Sequence, residues 1–175
     1  MRERTLPRFI DVEASGLECD SYPVEVAWSD AEGHVESMLI APPEEWQVHR
    51  SWSEQAEALH GLTTEALLAE GTPIERVCMK LIETARTETL YSDAAPFDRF
   101  WIGVLLTAGG YPDHALRIVS ADRLIALAGA SPSHESVEAA KTQAQAKLGI
   151  GHHRAGDDVR ALVEAYRLNR THCDS

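Results

Sequence analysis

Asp11 and Glu13 stand two residues apart in Phe9-Ile10-Asp11-Val12-Glu13-Ala14-Ser15-Gly16-Leu17, directly after a short apolar run. In an extended strand alternate side chains share a face, so both carboxylates point the same way. Two adjacent acids repel each other unless protons or cations lie between them. Gly16 lets the chain turn sharply after them. A carboxylate pair at a strand end beside a tight turn suits half of a hard-cation site. A solvent-facing strand end with two surface acids would look the same, so the remaining ligands must be sought elsewhere.

Two stretches offer them. In Tyr91-Ser92-Asp93-Ala94-Ala95-Pro96-Phe97-Asp98 a strand hands over to a helix, with Asp98 in its first turn. The helix dipole alone also favours an acid there. Asp93 competes as a candidate from the preceding loop. In Gly151-His152-His153-Arg154-Ala155-Gly156-Asp157-Asp158-Val159 a glycine entry leads to two histidines and two acids at a helix start. That helix carries an apolar stripe of Val159, Leu162, Val163 and Tyr166. At about 100° per residue Asp157 points nearly opposite the stripe, whereas Asp158 lies on its flank and can face inward. Asp158 is therefore the expected ligand and Asp157 a solvated acid. His153 can serve as a general base near neutral pH or as a surface loop histidine.

The elements that must position these groups follow an α/β pattern. Arg8 to Val12, Pro23 to Trp28 and His34 to Ala41 read as a three-strand meander, with a turn at Ser29–Gly33 and a stop at Pro42-Pro43. Ser51 or Ser53 caps a short helix through Leu59, ended by Gly61. Thr63 or Thr64 caps another, Glu65 to Ala69. Thr72-Pro73 opens a helix over Ile74 to Ala85. A fourth strand spans Thr89 to Ser92, and a helix runs from Pro96 through Leu106 with Phe97, Phe100, Trp101, Val104 and Leu105 on one face. A fifth strand covers His114 to Val119. Helices then follow from Ser120 or Asp122 to Ala128, from Ser133 to Leu148 after a loop at Gly129–Ser133, and from Arg154 to Leu168. Arg170 to Ser175 is expected to fray.

In this order the motifs resemble the DEDDh 3'-5' exonuclease family. Its three motifs match Asp11-Val12-Glu13 with Ser15-Gly16-Leu17, Ala95-Pro96-Phe97-Asp98, and His153-x-Ala155-x-x-Asp158. His60-Gly61-Leu62-Thr63 is similar to the family's His-Gly-Ile-Thr segment, and Glu25 matches its second strand. The resemblance runs from about Phe9 to Ala165. It implies a ribonuclease H-like fold, a five-strand mixed sheet flanked by helices with the second strand antiparallel. It implies two divalent ions, Mg²⁺ or Mn²⁺, held by Asp11, Glu13, Asp98 and Asp158, with His153 deprotonating the attacking water. Nucleoside 5'-monophosphates would leave the 3' end of single-stranded DNA or RNA, with short strands the expected substrates. By the same resemblance the backbone after Glu13, at Ala14, Ser15 and Leu17, holds the terminal nucleotide, flanked by His60 and Phe97. The second motif departs from the family's His-Asn-Ala: Asp93-Ala94-Ala95 stands there, without the asparagine amide. Ala14 replaces a usual hydroxyl residue. The departure in the second motif keeps open the alternative of a catalytically silent nucleic-acid-binding module on the same fold, and a metal-dependent phosphohydrolase of free nucleotides is a further alternative. The family's RNA-processing members form homodimers and its proofreading members bind a polymerase. The absence of a long C-terminal tail makes the second arrangement the less expected one here.

Bulk properties agree with that reading. The chain has 175 residues, 44% hydrophobic and 25% charged, which suits one domain spanning residues 1–175. Its net charge of -12 argues against a protein that coats long duplex nucleic acid. A phosphodiester held at a divalent cation remains compatible with it. Cys19, Cys78 and Cys173 are an odd set without metal-ligand spacing, as expected for free thiols in the cytoplasm, and count against a zinc site. No apolar run approaches the roughly 20 residues that cross a membrane, and Met1–Pro7 has no secretory h-region. Trp46, Trp52 and Trp101 are expected to pack rather than to stack on bases. Arg50, Arg99 and Arg154 lie near the motifs and read as surface charges that could also meet phosphates.

Overall fold

A computed structural model of the chain describes residues 5–85, 87–125, 133–151 and 153–173, with side chains up to residue 170. An antiparallel meander of β1 (Arg8–Ala14), β2 (Pro23–Ser29) and β3 (Val35–Leu39) begins the sheet. β4 (Thr89–Ser92) pairs in parallel with the other side of β1, and β5 (Arg117–Ser120) pairs in parallel with β4. The order is β3-β2-β1-β4-β5. The expected five-strand mixed sheet with an antiparallel second strand is thus the one observed.

Alternation along β1 divides the interior in two. Ile10, Val12 and Ala14 enter a core with residues of α1 (Glu44–His49), α3 (Thr64–Glu70), α4 (Ile74–Ala85) and α5 (Ala95–Ala108). Phe9 enters a second core on the opposite face, with residues of α6 (Asp122–Ile125), α7 (His134–Leu148) and α8 (Ala155–Cys173). Period-two alternation puts Asp11 and Glu13 on Phe9's face. The same side of one strand therefore starts as packing surface and ends as a row of acids beneath α7 and α8.

Helix boundaries follow local chemistry. Ser53 caps α2 (Glu54–His60), its hydroxyl accepting from the Ala56 N–H, and Gly61 ends that helix in the left-handed region. Thr63, rather than Thr64, caps α3. Ser133 and Ser136 form a capping box on α7.

Several boundaries differ from the sequence expectations. β1 continues two residues past Val12, because Glu13 pairs with Glu25 before a bulge at Ala14. β3 is trimmed to Val35–Leu39, since His34 belongs to the hairpin turn and its carbonyl accepts from the Asp30 N–H. β5 starts at Arg117, because a turn from Pro112 to Ala115 occupies the expected start. Helix α1 was not foreseen: it is six residues long, and its acids Glu44 and Glu45 follow Pro43 with no side-chain cap. It buries Trp46 against Tyr22, ring centroids 5.3 Å apart. Phe97 and Phe100 leave the expected apolar face of α5 and are exposed, and Ile102 and Leu106 are buried instead. Helix α8 runs on through Arg170 to Cys173. The expected helix end at Ala128 and most of the Gly129–Ser133 loop lie outside the described residues. Cys19 is exposed and Cys78 buried, both as free thiols. Among the described residues no helix is long and apolar enough to cross a membrane.

Helix α8 joins packing to the site, because Leu162 is fully buried one turn after Asp158. Leu162→Ala should cost about 2–5 kcal/mol, read as a fall in denaturation midpoint with an unchanged m-value.

Candidate active site

Strand β1 delivers Asp11 and Glu13 at its carboxyl end, where open α/β sheets place their ligands. Asp98 and Asp158 come from the first turns of α5 and α8, whose positive dipole ends favour anions. The four acids expected from sequence converge. Oxygens of Asp11, Glu13 and Asp158 approach within 4.8 Å of one another, and those of Asp11, Asp93 and Asp98 do the same. Asp11 belongs to both groups. Asp98 is fully buried, and Asp11, Asp93 and Asp158 nearly so.

Asp93, Asp98 and Asp158 are held by groups outside the cluster. The Ser92 hydroxyl donates to Asp98 Oδ2 and accepts from the Ala94 N–H at 2.9 Å. Asp158 Oδ2 accepts the His153 backbone N–H at 2.9 Å, and its Oδ1 accepts Gln145 Nε2 at 3.2 Å. Lys141 on α7 ion-pairs with Asp93, with Asp158 at 3.4 Å and with Glu138 at 3.3 Å. Asp93 Oδ1 and Asp98 Oδ1 are buried without a hydrogen-bond partner among the described residues. Such atoms are costly unless something meets them.

Burial pushes the Asp11 carboxyl well above the usual range, and the charges of Asp98, Asp93, Asp158 and Glu13 add to the push. Burial likewise raises Asp98, with the Ser92 hydroxyl opposing and Asp93 adding. Glu13 rises to about 7, from burial first and then from Asp158 and Glu25. Burial would lower the Lys141 ammonium, but Asp93 and Asp158 together raise it. An all-oxygen donor set, crowded and with two orphaned oxygens, fits hard divalent cations such as Mg²⁺ or Mn²⁺.

Beside Glu13 lies a cavity of about 400 Å³, walled by Ala14, Leu17, His60, Trp101 and His153 among others. His153 sits at φ 62°, a left-handed conformation rare outside glycine. Leu17 is 76% exposed at the rim. Burial lowers the His60 imidazole, with the Ala14 backbone opposing. Ser15 lies behind this wall: it is fully buried, and its hydroxyl donates to the Ser51 carbonyl and accepts from the Tyr22 N–H. Phe97 stands outside the wall, half exposed, with its ring stacked on Trp101 at 5.8 Å.

Sequence reasoning passed over three groups. Lys141 and Gln145 sit one turn apart on the buried Ala140–Ala144 face of α7; a cation and an amide interrupting an alanine stripe were the available signal. Glu25 was noticed but given no task. Its carboxylate takes Arg154 Nε at 2.9 Å and Nη2 at 3.1 Å, the Ala155 N–H at 3.1 Å and the Ser37 hydroxyl at 2.7 Å. It therefore pins the start of α8. Arg50 donates to the Ser21 carbonyl and lies over the Trp46 ring, and Arg99 reaches the Ile118 carbonyl at 3.5 Å. A further oxygen-rich group, Asp30, Glu32 and His34, is a surface hairpin turn in which Asp30 already accepts from both neighbours.

The raised carboxyls set a pH dependence. A group whose folded value lies above its unfolded one stabilises fully below the unfolded value and loses that contribution as pH rises through the folded value. For Glu13 this window runs from 4.5 to about 7. Chelator-treated protein should therefore melt at a higher temperature near pH ~5.5 than near pH ~8. Glu13→Gln should flatten the difference, and Mn²⁺ should raise melting most at the higher pH.

No family model and no curated protein sequence matches the chain. Solved structures do resemble it. The zinc-bound E. coli exonuclease I complex with single-stranded DNA superposes with a TM-score of 0.71 at 18% identity, over 97% of this chain and 41% of that one. Product-bound exonuclease I gives 0.68 at 17% identity, over 97% and 44%. E. coli exonuclease I in complex with a dA16 oligonucleotide gives 0.65 at 16% identity, over 95% and 42%. The chain spans less than half the length of these proteins. At such identity the likeness is one of architecture, and the architecture is the ribonuclease H-like fold.

Proposed function

We propose that the chain is a divalent-metal-dependent 3'-5' exonuclease that removes nucleoside 5'-monophosphates from single-stranded DNA or RNA, short strands included. One observation carries this reading: buried carboxylates from β1, α5 and α8 meet beside a cavity of nucleotide size, with His153 in its wall.

Asp11, Glu13, Asp98 and Asp158 would hold two Mg²⁺ or Mn²⁺ ions, which when bound supply charge compensation for the phosphate and a more acidic water. His153 takes a proton from the water as its oxygen attacks phosphorus and the P–O3' bond breaks. The backbone from Ala14 to Leu17 flanks the terminal nucleotide, with Leu17 offering an apolar edge to the base. His60, kept neutral by burial, closes the inner side. The stacked Phe97–Trp101 pair lies where a neighbouring base can stack on an aromatic face. The likeness to structures described with single-stranded DNA supports this class of ligand.

A second reading, a silent nucleic-acid-binding module, is favoured by Lys141, an ammonium reaching into the acidic cluster. Activity separates the two. Purified chain with Mn²⁺ or Mg²⁺ should shorten 5'-labelled single strands from their 3' end, and matched DNA and RNA oligomers would rank the substrates. Asp11→Ala should abolish turnover, and His153→Ala should slow it by roughly 100- to 10,000-fold. Strand binding without shortening would establish the silent module. Hydrolysis of free nucleotides alone would replace both with a nucleotide phosphohydrolase.

A further inference from the structure

Asp93 stands apart from the four acids that match the family motifs, yet it shares their surroundings. It sits in the turn between β4 and α5, and its side chain is buried. Its oxygens approach those of Asp11 and Asp98 within 4.8 Å. One oxygen, Oδ2, pairs with Lys141. The other, Oδ1, is buried and lacks a partner among the described residues, as does Asp98 Oδ1. Two orphaned carboxylate oxygens in one buried group are two unused lone-pair donors, which is what an oxygen-ligated cation takes up.

Lys141 is placed as deliberately. It is nearly buried on the inner face of α7 and touches Asp93 and Asp158, one residue from each three-acid group. The five carboxylates of the two groups and the Lys141 ammonium sum to four negative charges, which two dications would offset; Glu138, partly exposed on α7, lies outside both groups. An ammonium fixed at this place lowers the negative potential felt by any cation that enters.

We infer that Asp93 is a fifth carboxylate ligand of the metal centre and that Lys141 is a fixed cation opposing the metal there, so that the pair sets how tightly the centre holds its ions. This rests on the metal-site reading proposed above. A purely structural ion pair is the rival explanation, and the two differ in sign. If the pair only braces α7 against the β4–α5 turn, removing either partner breaks the same contact, and both changes act alike. If Asp93 binds metal and Lys141 opposes it, the two changes act in opposite directions.

The test is Mn²⁺ binding to the chelator-treated full chain, followed by the free-ion electron paramagnetic resonance signal, with circular dichroism and thermal melting as checks of folding. Asp93→Asn should weaken Mn²⁺ at one position by about ten-fold or more, having lost a ligand and a charge. Lys141→Met should tighten Mn²⁺, and Lys141→Arg, which keeps the charge, should stay within about three-fold of the unaltered protein. The double variant Asp93→Asn with Lys141→Met, which removes both members of the Asp93–Lys141 pair and leaves Asp158 and Glu138 without the ammonium, should fall between Asp93→Asn and the unaltered protein. Undiminished binding in Asp93→Asn, or binding in Lys141→Met no tighter than in the unaltered protein, overturns the inference. A strand-shortening assay on the same samples keeps the two proposals distinguishable. Opposite shifts in Mn²⁺ affinity without nuclease activity would refute the exonuclease and leave the five-carboxylate centre standing. Activity without opposite shifts would do the reverse.

Discussion

Repulsion among carboxylates at the end of β1 is the constraint around which the surrounding structure is arranged. Asp11, Glu13, Asp93, Asp98 and Asp158 lie close together and largely out of water, an arrangement that by itself opposes folding. The neighbouring elements each offset part of that cost. Helices α5 and α8 present their N-termini, Ser92 donates to Asp98, the His153 N–H and Gln145 donate to Asp158, and Lys141 brings an ammonium. The offset is incomplete, as the raised carboxyls of Asp11, Glu13 and Asp98 show. A cluster left under this tension favours protons or cations strongly.

Glu25 shows the contrasting fate of a buried acid. It lies directly across from Glu13 on the neighbouring strand, yet it is saturated by Arg154, Ala155 and Ser37. One carboxylate is thereby spent on architecture, while its neighbour keeps an oxygen turned to the acidic cluster. The distinction lies in the partners alone, since both are glutamates at the same level of the sheet.

Much of the fold was legible from local signals. The limits of α4, opened by Thr72-Pro73, and of β4 match those read from sequence, and the cap of α2 is Ser53, one of the two serines the sequence offered. Periodicity put Asp11 and Glu13 on one face and turned Asp158 inward, while the pairing of these acids and Asp98 with motifs came from the family resemblance. Lys141 and Gln145 could not be found this way. Their significance lies in contacts with residues 48 and 13 positions distant, and a lysine on an alanine-rich helix reads as solvated until the packing is known. The exposure of Phe97 and Phe100 was hidden for a related reason, since helical periodicity predicts a face and not what covers it.

The bond between Glu25 and Arg154 closes the chain over 129 positions. A contact of such span is among the costliest to form early in folding, because the intervening chain must first be ordered. The start of α8, with Asp158 and His153, is held in place through that contact. Asp11, Glu13, Asp93 and Asp98 all precede α8 in the chain, so the acidic centre stays unfinished until that helix docks. Helix α8 also supplies much of the second core, so a C-terminally shortened chain would lose packing against the sheet together with the centre, and this geometry ties the site to molecules that have folded to the end of that helix.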